Sequence, residues 1–197
     1  MKQMRLNNNI DEICEKAKEV ILSGGIAILP FDTVYGLVCD CRNETALKKI
    51  YDLKKRDLSQ TIGLACDSID SLLAISKPGS FAASYLLDKV PGQFTFILPI
   101  NDKSISPLCS KNGTVGIRIP SFLLIQELAR ACGGAIAQTS ANISGQPFCI
   151  SFKEIEKQFG LNLNDVDLVV DGGLLANGMP SKLIDLTGNE PKEIARS

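Results

Sequence analysis

The pattern that most constrains this chain is a repeated alternation of short apolar runs with longer stretches whose apolar residues recur at helical spacing. Ile10, Ile13, Ala17, Val20 and Ile21 share one face of a helix over 10–23, which Gly24-Gly25 stops. Ile26 to Leu29 reads as a buried strand ending at Pro30, and Gly36 to Cys39 as a second strand after a polar turn. Asn43 is placed to cap a helix carrying Leu47, Ile50, Tyr51 and Leu53, which delivers Lys54, Lys55 and Arg56 at its exit. Further strands are expected at 62–66, 94–99, 115–119, 135–138, 168–170 and 183–186, and helices near 80–87, 122–132 and 152–159. Such alternation predicts an α/β domain: a twisted, mixed, mostly parallel sheet flanked by helices, in which three close strand pairs require some antiparallel pairing. With 197 residues, 45% of them hydrophobic, one core fits, and residues 1–197 are expected to form a single domain.

Charge and cysteine content then remove several classes of function. A formal net charge of −1 argues against a surface that is wholly a footprint for nucleic acid. The cysteines at 14, 39, 41, 66, 109, 132 and 149 form no CxxC pair, and several lie within apolar runs, as packed thiols of a reducing cytoplasm do. Cys39 and Cys41 lack a second pair or any histidine to complete a zinc site, so no structural metal is expected. A Ser-His or Cys-His catalytic pair is excluded because the chain has no histidine. The N-terminus is polar, and no apolar run is long enough to span a bilayer, so no membrane contact is expected.

Five polar segments interrupt the apolar pattern beside expected strands: Asp32 to Gly36, Lys54 to Arg56, Thr114 to Arg118, Thr139 to Asn142, and Ser181 with Arg196. Loops at strand ends converge on a crevice in open α/β sheets, which makes these segments candidates for one ligand site. Lys54 and Arg56 fit either a solvated helix end or a phosphate clamp. Arg118 interrupts the run Val115 to Pro120 on the face shared with Gly116. That face must offer water, an acid partner or an anionic ligand, and the ligand is the favoured reading over a structural ion pair. Thr139-Ser140-Ala141-Asn142 is a turn with an N-cap or, with Ser144-Gly145, a nest of backbone N–H groups for phosphate oxygens. Neither GxxxxGK[ST] nor GxGxxG is present.

The ordered segments PFDTVYGL, IYDLKKR, PGQFTFILP, TVGIRIP and TSANISGQP resemble the YrdC-like threonylcarbamoyl-AMP synthases over about residues 10–197, in their stand-alone form. The resemblance implies the YrdC-like fold. It also implies a reaction in which the amine of L-threonine takes up CO2 or bicarbonate, and the carbamate attacks the α-phosphorus of ATP with release of pyrophosphate. Magnesium would arrive with ATP, and no protein metal ligand is implied. No side chain need act as nucleophile or base, because a substrate oxygen attacks phosphorus.

By the same resemblance Lys54, Arg56, Ser140 and Asn142 hold the phosphates, with Gln60, Thr114 and Arg196 as further ATP contacts. Thr33, Arg118, Gln138 and Ser181 face L-threonine, Arg118 through its carboxylate. The product would pass to a threonylcarbamoyl transferase complex acting on tRNA, with at most weak tRNA contact by this chain. Two alternatives are an RNA-binding module of the same fold and a carbamoyl-adenylate-forming relative with another acceptor. Phe31, Asp57, Thr61, Ala65 and the pair Ser181-Lys182 depart from the residues the family usually carries. Ala65 stands where many relatives have a histidine, so one contact to the amino acid is expected to be missing.

Overall fold

A computed structural model describes residues 2–7, 9–176 and 178–195. In chain order the elements are β1 (Lys2–Arg5), α1 (Ile10–Leu22), β2 (Ala27–Leu29), β3 (Gly36–Cys39), α2 (Glu44–Lys54), β4 (Gly63–Cys66), α3 (Ile69–Ile75), α4 (Ser80–Leu87) and β5 (Phe94–Pro99). There follow β6 (Ser110–Lys111), β7 (Thr114–Arg118), α5 (Leu123–Ala131), β8 (Ala135–Ser140), α6 (Phe152–Phe159), β9 (Leu168–Asp171), β10 (Lys182–Asp185) and β11 (Lys192–Ile194). No helix among the described residues is long and apolar enough to cross a membrane.

All the strands join one sheet in the order β1-β9-β2-β3-β8-β4-β7-β5-β10-β11, with β6 beside β7. The expected mixed sheet flanked by helices is present, but its balance differs from the mostly parallel one anticipated. Four pairings are parallel and six antiparallel. The cause is connection length. β2 returns as β3 after only Pro30 to Tyr35. β6 turns into β7 through Asn112 and Gly113, both at positive φ, the backbone that a tight hairpin needs and that these two residue types tolerate.

Each face of the sheet carries its own core. One face packs Ala27, Leu29, Val38, Ala65, Ile136, Leu168 and Val170 under α1 and α5. The other packs Leu37, Leu64, Phe96, Ile117 and Val169 under α2, α3, α4 and α6. The first cover is incomplete. On β5 and β7 the residues facing the second core, Phe96, Leu98, Val115 and Ile117, are fully buried, whereas Ile97, Thr114 and Gly116 on the opposite side are only half-buried. α5 lies over β4 and β8 and stops there, leaving an open floor on β7 and β5. That uncovered floor positions the site.

Helix α2 ends as the polar run at its exit requires. Asn43 caps its start by accepting from Ala46 N at 3.1 Å. At its end Lys55 adopts φ 51°, Lys55 N donates to Asp52 O and Arg56 N to Tyr51 O, the paired bonds of a Schellman stop. The left-handed residue throws Lys54 and Arg56 in different directions. Lys55→Gly is expected to stabilise the protein by about 0.5 kcal/mol, the relief of a left-handed side chain of about 1–2 kcal/mol less the entropy glycine loses. A urea midpoint checks it, and a fall would contradict it.

Candidate functional site

Two clusters of polar side chains stand at the edges of the open floor. The first lies where α2 and β8 end. β8 runs through Ser140 rather than stopping at Gln138, because β3 pairs with it as far as Gly36 opposite Ser140. Lys54 is 1% exposed, so the solvated helix end is not what forms. Its Nζ donates to Ser140 O at 2.5 Å, Asn142 O at 2.6 Å and Asn142 Oδ1 at 3.2 Å, one acceptor for each ammonium proton. Ser140 Oγ donates to the same Asn142 Oδ1 at 2.6 Å, and Asn142 Nδ2 donates to Ile143 O and Gln146 O. Burial, helped by the like charge of Arg56, pulls the Lys54 ammonium down to about 7.

Most backbone amides of this loop, one of its two readings being a nest, are already used. Ala141 N donates to Tyr35 O, Asn142 N to Ser140 O, Ser144 N to Lys54 O and Gln146 N to Ile143 O, while Ile143 N reaches Gln158 Oε1. Amides already committed to neighbouring segments offer little to an outside anion. Ser144 Oγ, by contrast, is buried with no partner. Arg56 is half-buried beside this loop; Nε donates to Gln60 O at 3.0 Å and Nη2 to Thr61 O at 2.9 Å. Burial lowers its pKa, and Tyr51 opposes the fall.

The second cluster surrounds Arg118, which is 2% exposed. Its Nη2 donates to Asp32 Oδ1 at 2.5 Å and its Nη1 to Thr33 Oγ1 at 3.2 Å, while Nε is buried without a partner. The guanidinium lies 5.8 Å from the centre of the Phe31 ring. Burial draws the pKa of Arg118 down and the Asp32 carboxylate resists. The second oxygen of Asp32 accepts from Ser121 N at 3.0 Å, and its carbonyl from Gln93 Nε2 at 2.7 Å. One acidic residue thus fixes the arginine, the turn after β7 and the segment before β5. Of the three things the arginine's face had to offer, the structure supplies the acid partner and leaves one buried donor without a partner.

Between the clusters the sheet carries small residues. Gly36 pairs with Ser140, Gly63 with Gln138, and Ala65 with Arg118. A Cβ on Gly36 would stand 2.5 Å from the Phe31 ring, so glycine there is what lets Phe31 lie against β3. A Cβ on Gly116 would meet only Thr95 Cγ2, at 3.5 Å, so that position opens onto free space. The strands of Ser140 and Arg118 are two steps apart across β4, about 10 Å at ordinary strand spacing.

The remaining expected residues are spread more widely. Gln138 is half-buried on the floor between Val38 and Gly63. Ser181 is buried 2.7 Å from Thr95, hydroxyl to hydroxyl, and Thr95 adjoins Phe96, whose partner Ile117 precedes Arg118. Thr114 donates to Lys111 O at 2.8 Å, closing the β6–β7 hairpin. Gln60 is exposed and enters this region through its carbonyl, which accepts from both Arg56 and the Tyr51 hydroxyl. Arg196 lies outside the described residues.

Three participants were given no role of their own by the sequence reading. Asp32 was visible as the acid of the first polar segment, and Thr95 as the polar residue amid the apolar β5. Tyr35 is the third. Its buried hydroxyl donates to Gly173 O and accepts from Gly172 N, each at 2.8 Å, tying down the loop that leads to Ser181. Its main chain bonds Cys149 and Ala141. Burial pushes this phenol up to about 12, so it keeps its proton.

The fold recurs in known proteins. The family profile for Sua5, YciO and YrdC proteins, described as "Telomere recombination", matches residues 19–197. Sua5 of P. abyssi, solved in complex with L-threonine, superposes with a TM-score of 0.86 at 27% identity over 98% of this chain. This chain spans 58% and 56% of the length of the two P. abyssi Sua5 chains it matches. YciO of E. coli gives a TM-score of 0.84 at 28% identity, covering 98% of this chain and 93% of its own. A Methanobacterium thermoautotrophicum protein solved in solution gives 0.71 at 32% identity, covering 93% and 85% respectively.

Proposed function

This chain belongs to the Sua5, YciO and YrdC family, and from that premise we propose that it is an L-threonylcarbamoyladenylate synthase. The observation that carries the reading is the pairing of two anion-competent clusters on either side of an uncovered, glycine-floored stretch of sheet. ATP is placed with its triphosphate toward Arg56 and the Ser140 end of β8. L-Threonine is assigned a carboxylate contact to the Arg118 guanidinium, whose Nε lacks a partner, with its body near Thr33, Gln138 and Ser181. The P. abyssi Sua5 bound to L-threonine supports this choice of amino acid.

The chemistry asks little of protein acids and bases. The threonine amine takes up CO2, losing a proton, and becomes a carbamate. A carbamate oxygen then attacks the α-phosphorus, the bond to the bridging oxygen breaks, and pyrophosphate leaves. What the site contributes is alignment and charge: two anions that would repel in water are held by guanidinium groups on fixed strands and helix ends. Magnesium travels with ATP as part of the substrate; no cluster of three or more His, Cys, Asp or Glu able to hold a metal occurs among the described residues. The product is an activated mixed anhydride, suited to transfer onto a tRNA adenosine by a separate enzyme.

L-Threonine, with ATP and magnesium present, is expected to raise the melting temperature of the protein, as any ligand that binds only the folded state does. D-Threonine, whose carboxylate and amine cannot both keep their places, should raise it less. Equal shifts from both enantiomers, or none from either, would remove the amino-acid half of the reading.

A further inference from the structure

The four residues that resemblance groups as phosphate ligands divide sharply by burial. Lys54 and Asn142 are 1% and 5% exposed, whereas Arg56 and Ser140 are half-buried. They divide by hydrogen bonding as well. Every proton of the Lys54 ammonium has an acceptor within the chain, and both protons of the Asn142 amide are given to carbonyls of the same loop. The Ser140 hydroxyl spends its proton on Asn142 Oδ1, which also receives Lys54. A hydroxyl turns about one bond, and Asn142 Oδ1 would keep the lysine if Ser140 turned away.

On the reading that ATP binds here, we propose that Lys54 and Asn142 are positioning residues that touch no phosphate, and that Ser140 and Arg56 are the side chains that do. Lys54 clips the end of α2 to the end of β8. The clip sets the direction of the Ser140 hydroxyl and the course of the chain from Ser140 to Ser144, whose N–H bonds the Lys54 carbonyl. When phosphate arrives, the Ser140 hydroxyl swings onto it and the lysine stays on its three acceptors. This differs from a lysine that reaches the phosphates directly, which would have to abandon all or part of a satisfied, buried triad of bonds.

The clip depends on one proton. With three acceptors around it, an ammonium satisfies all of them, but a neutral amine has one fewer proton and turns a lone pair toward one. Its charged and titratable neighbours are Arg56, which favours loss of the proton, and Cys149, a buried thiol pushed up to about 11 that stays neutral. Because the ammonium is drawn down to about 7, the clip exchanges its proton in the ordinary pH range. With the ammonium in place Asn142 Oδ1 stays satisfied when the Ser140 hydroxyl leaves it for phosphate, so binding is accompanied by proton uptake, and affinity falls as pH rises above 7.

The test is calorimetric titration with magnesium and a non-hydrolysable ATP analogue, in buffers of different ionisation heat. For the wild type, affinity should fall by up to about tenfold per pH unit between about pH 7.5 and 9, with proton uptake seen as a buffer-dependent heat. Ser140→Ala should bind more weakly and lose most of that pH dependence, because the proton acts through Ser140. Lys54→Met should weaken binding in the wild-type background by at least about tenfold, yet by little in a Ser140→Ala background. Equal losses in both backgrounds, or an undiminished pH dependence in Ser140→Ala, would make Lys54 a direct ligand and overturn the proposal. Should Lys54→Met not fold, the Ser140→Ala profile decides alone. Analogue binding by the wild type without proton uptake would overturn this inference only. No binding at all would overturn the ATP reading beneath it.

Discussion

Arg118→Ala should lower the stability of the protein by about 3–5 kcal/mol and abolish measurable L-threonine binding together. The size of the first effect comes from what is left behind. Asp32 is largely buried with the arginine, its side chain 8% exposed, so removal of the guanidinium strands a poorly solvated carboxylate without its cation. Loss of amino-acid binding after such a change would by itself prove little. A second variant separates the two roles: Arg118→Met combined with Asp32→Asn removes both charges and keeps most of the volume. Replacing both partners of a buried ion pair is often close to neutral, so the double variant should recover most of the urea midpoint. It should still fail to bind L-threonine in a calorimetric titration. A double variant that regained binding would show that Arg118 serves the fold alone.

Gly116→Val should have the opposite character, a stable protein without turnover. A Cβ at this position meets Thr95 Cγ2 at 3.5 Å, an ordinary contact distance, and no other atom within 4 Å. A β-branched residue also suits a strand better than glycine does, so the melting temperature should hold or rise. The branched side chain would nevertheless stand on the open floor between the two clusters, where carbamate oxygen and α-phosphorus must meet in line. Displacement of a reacting group by about 1 Å costs on the order of a hundredfold in rate, and a fall of at least that size is expected. A Gly116→Val protein with ordinary turnover would place the reaction elsewhere on the sheet.

Periodicity carried the elements with a buried face. α1, α2, α5 and α6 show it, and the buried apolar runs of β2, β3 and most of β9 were as legible. It could not find β1, whose residues Lys2 to Arg5 are mostly exposed and held only by pairing with β9. It missed α3, a seven-residue helix whose signal is its Ser68 cap rather than its face. The direction of pairing was only partly legible, since alternation along a strand does not say which neighbour it takes. For the site, residue types told more than roles. The logic of a buried guanidinium demanded a partner for Arg118, and Asp32, two segments away in the sequence, proved to be one. Lys54 fitted either a solvated helix end or a phosphate clamp, and neither reading included its burial. Its burial follows from the left-handed turn at Lys55 and the nearby carbonyls at the end of β8, a tertiary arrangement that no local pattern announces.

The central claim is that one site joins ATP to a threonine carbamate, and pyrophosphate release tests it most directly. Purified protein should release pyrophosphate when ATP, magnesium, L-threonine and bicarbonate are all present, with a matching yield of threonylcarbamoyl-adenylate. Omission of any one of them should return the rate to background. Pyrophosphate released at the same rate without threonine would contradict the account.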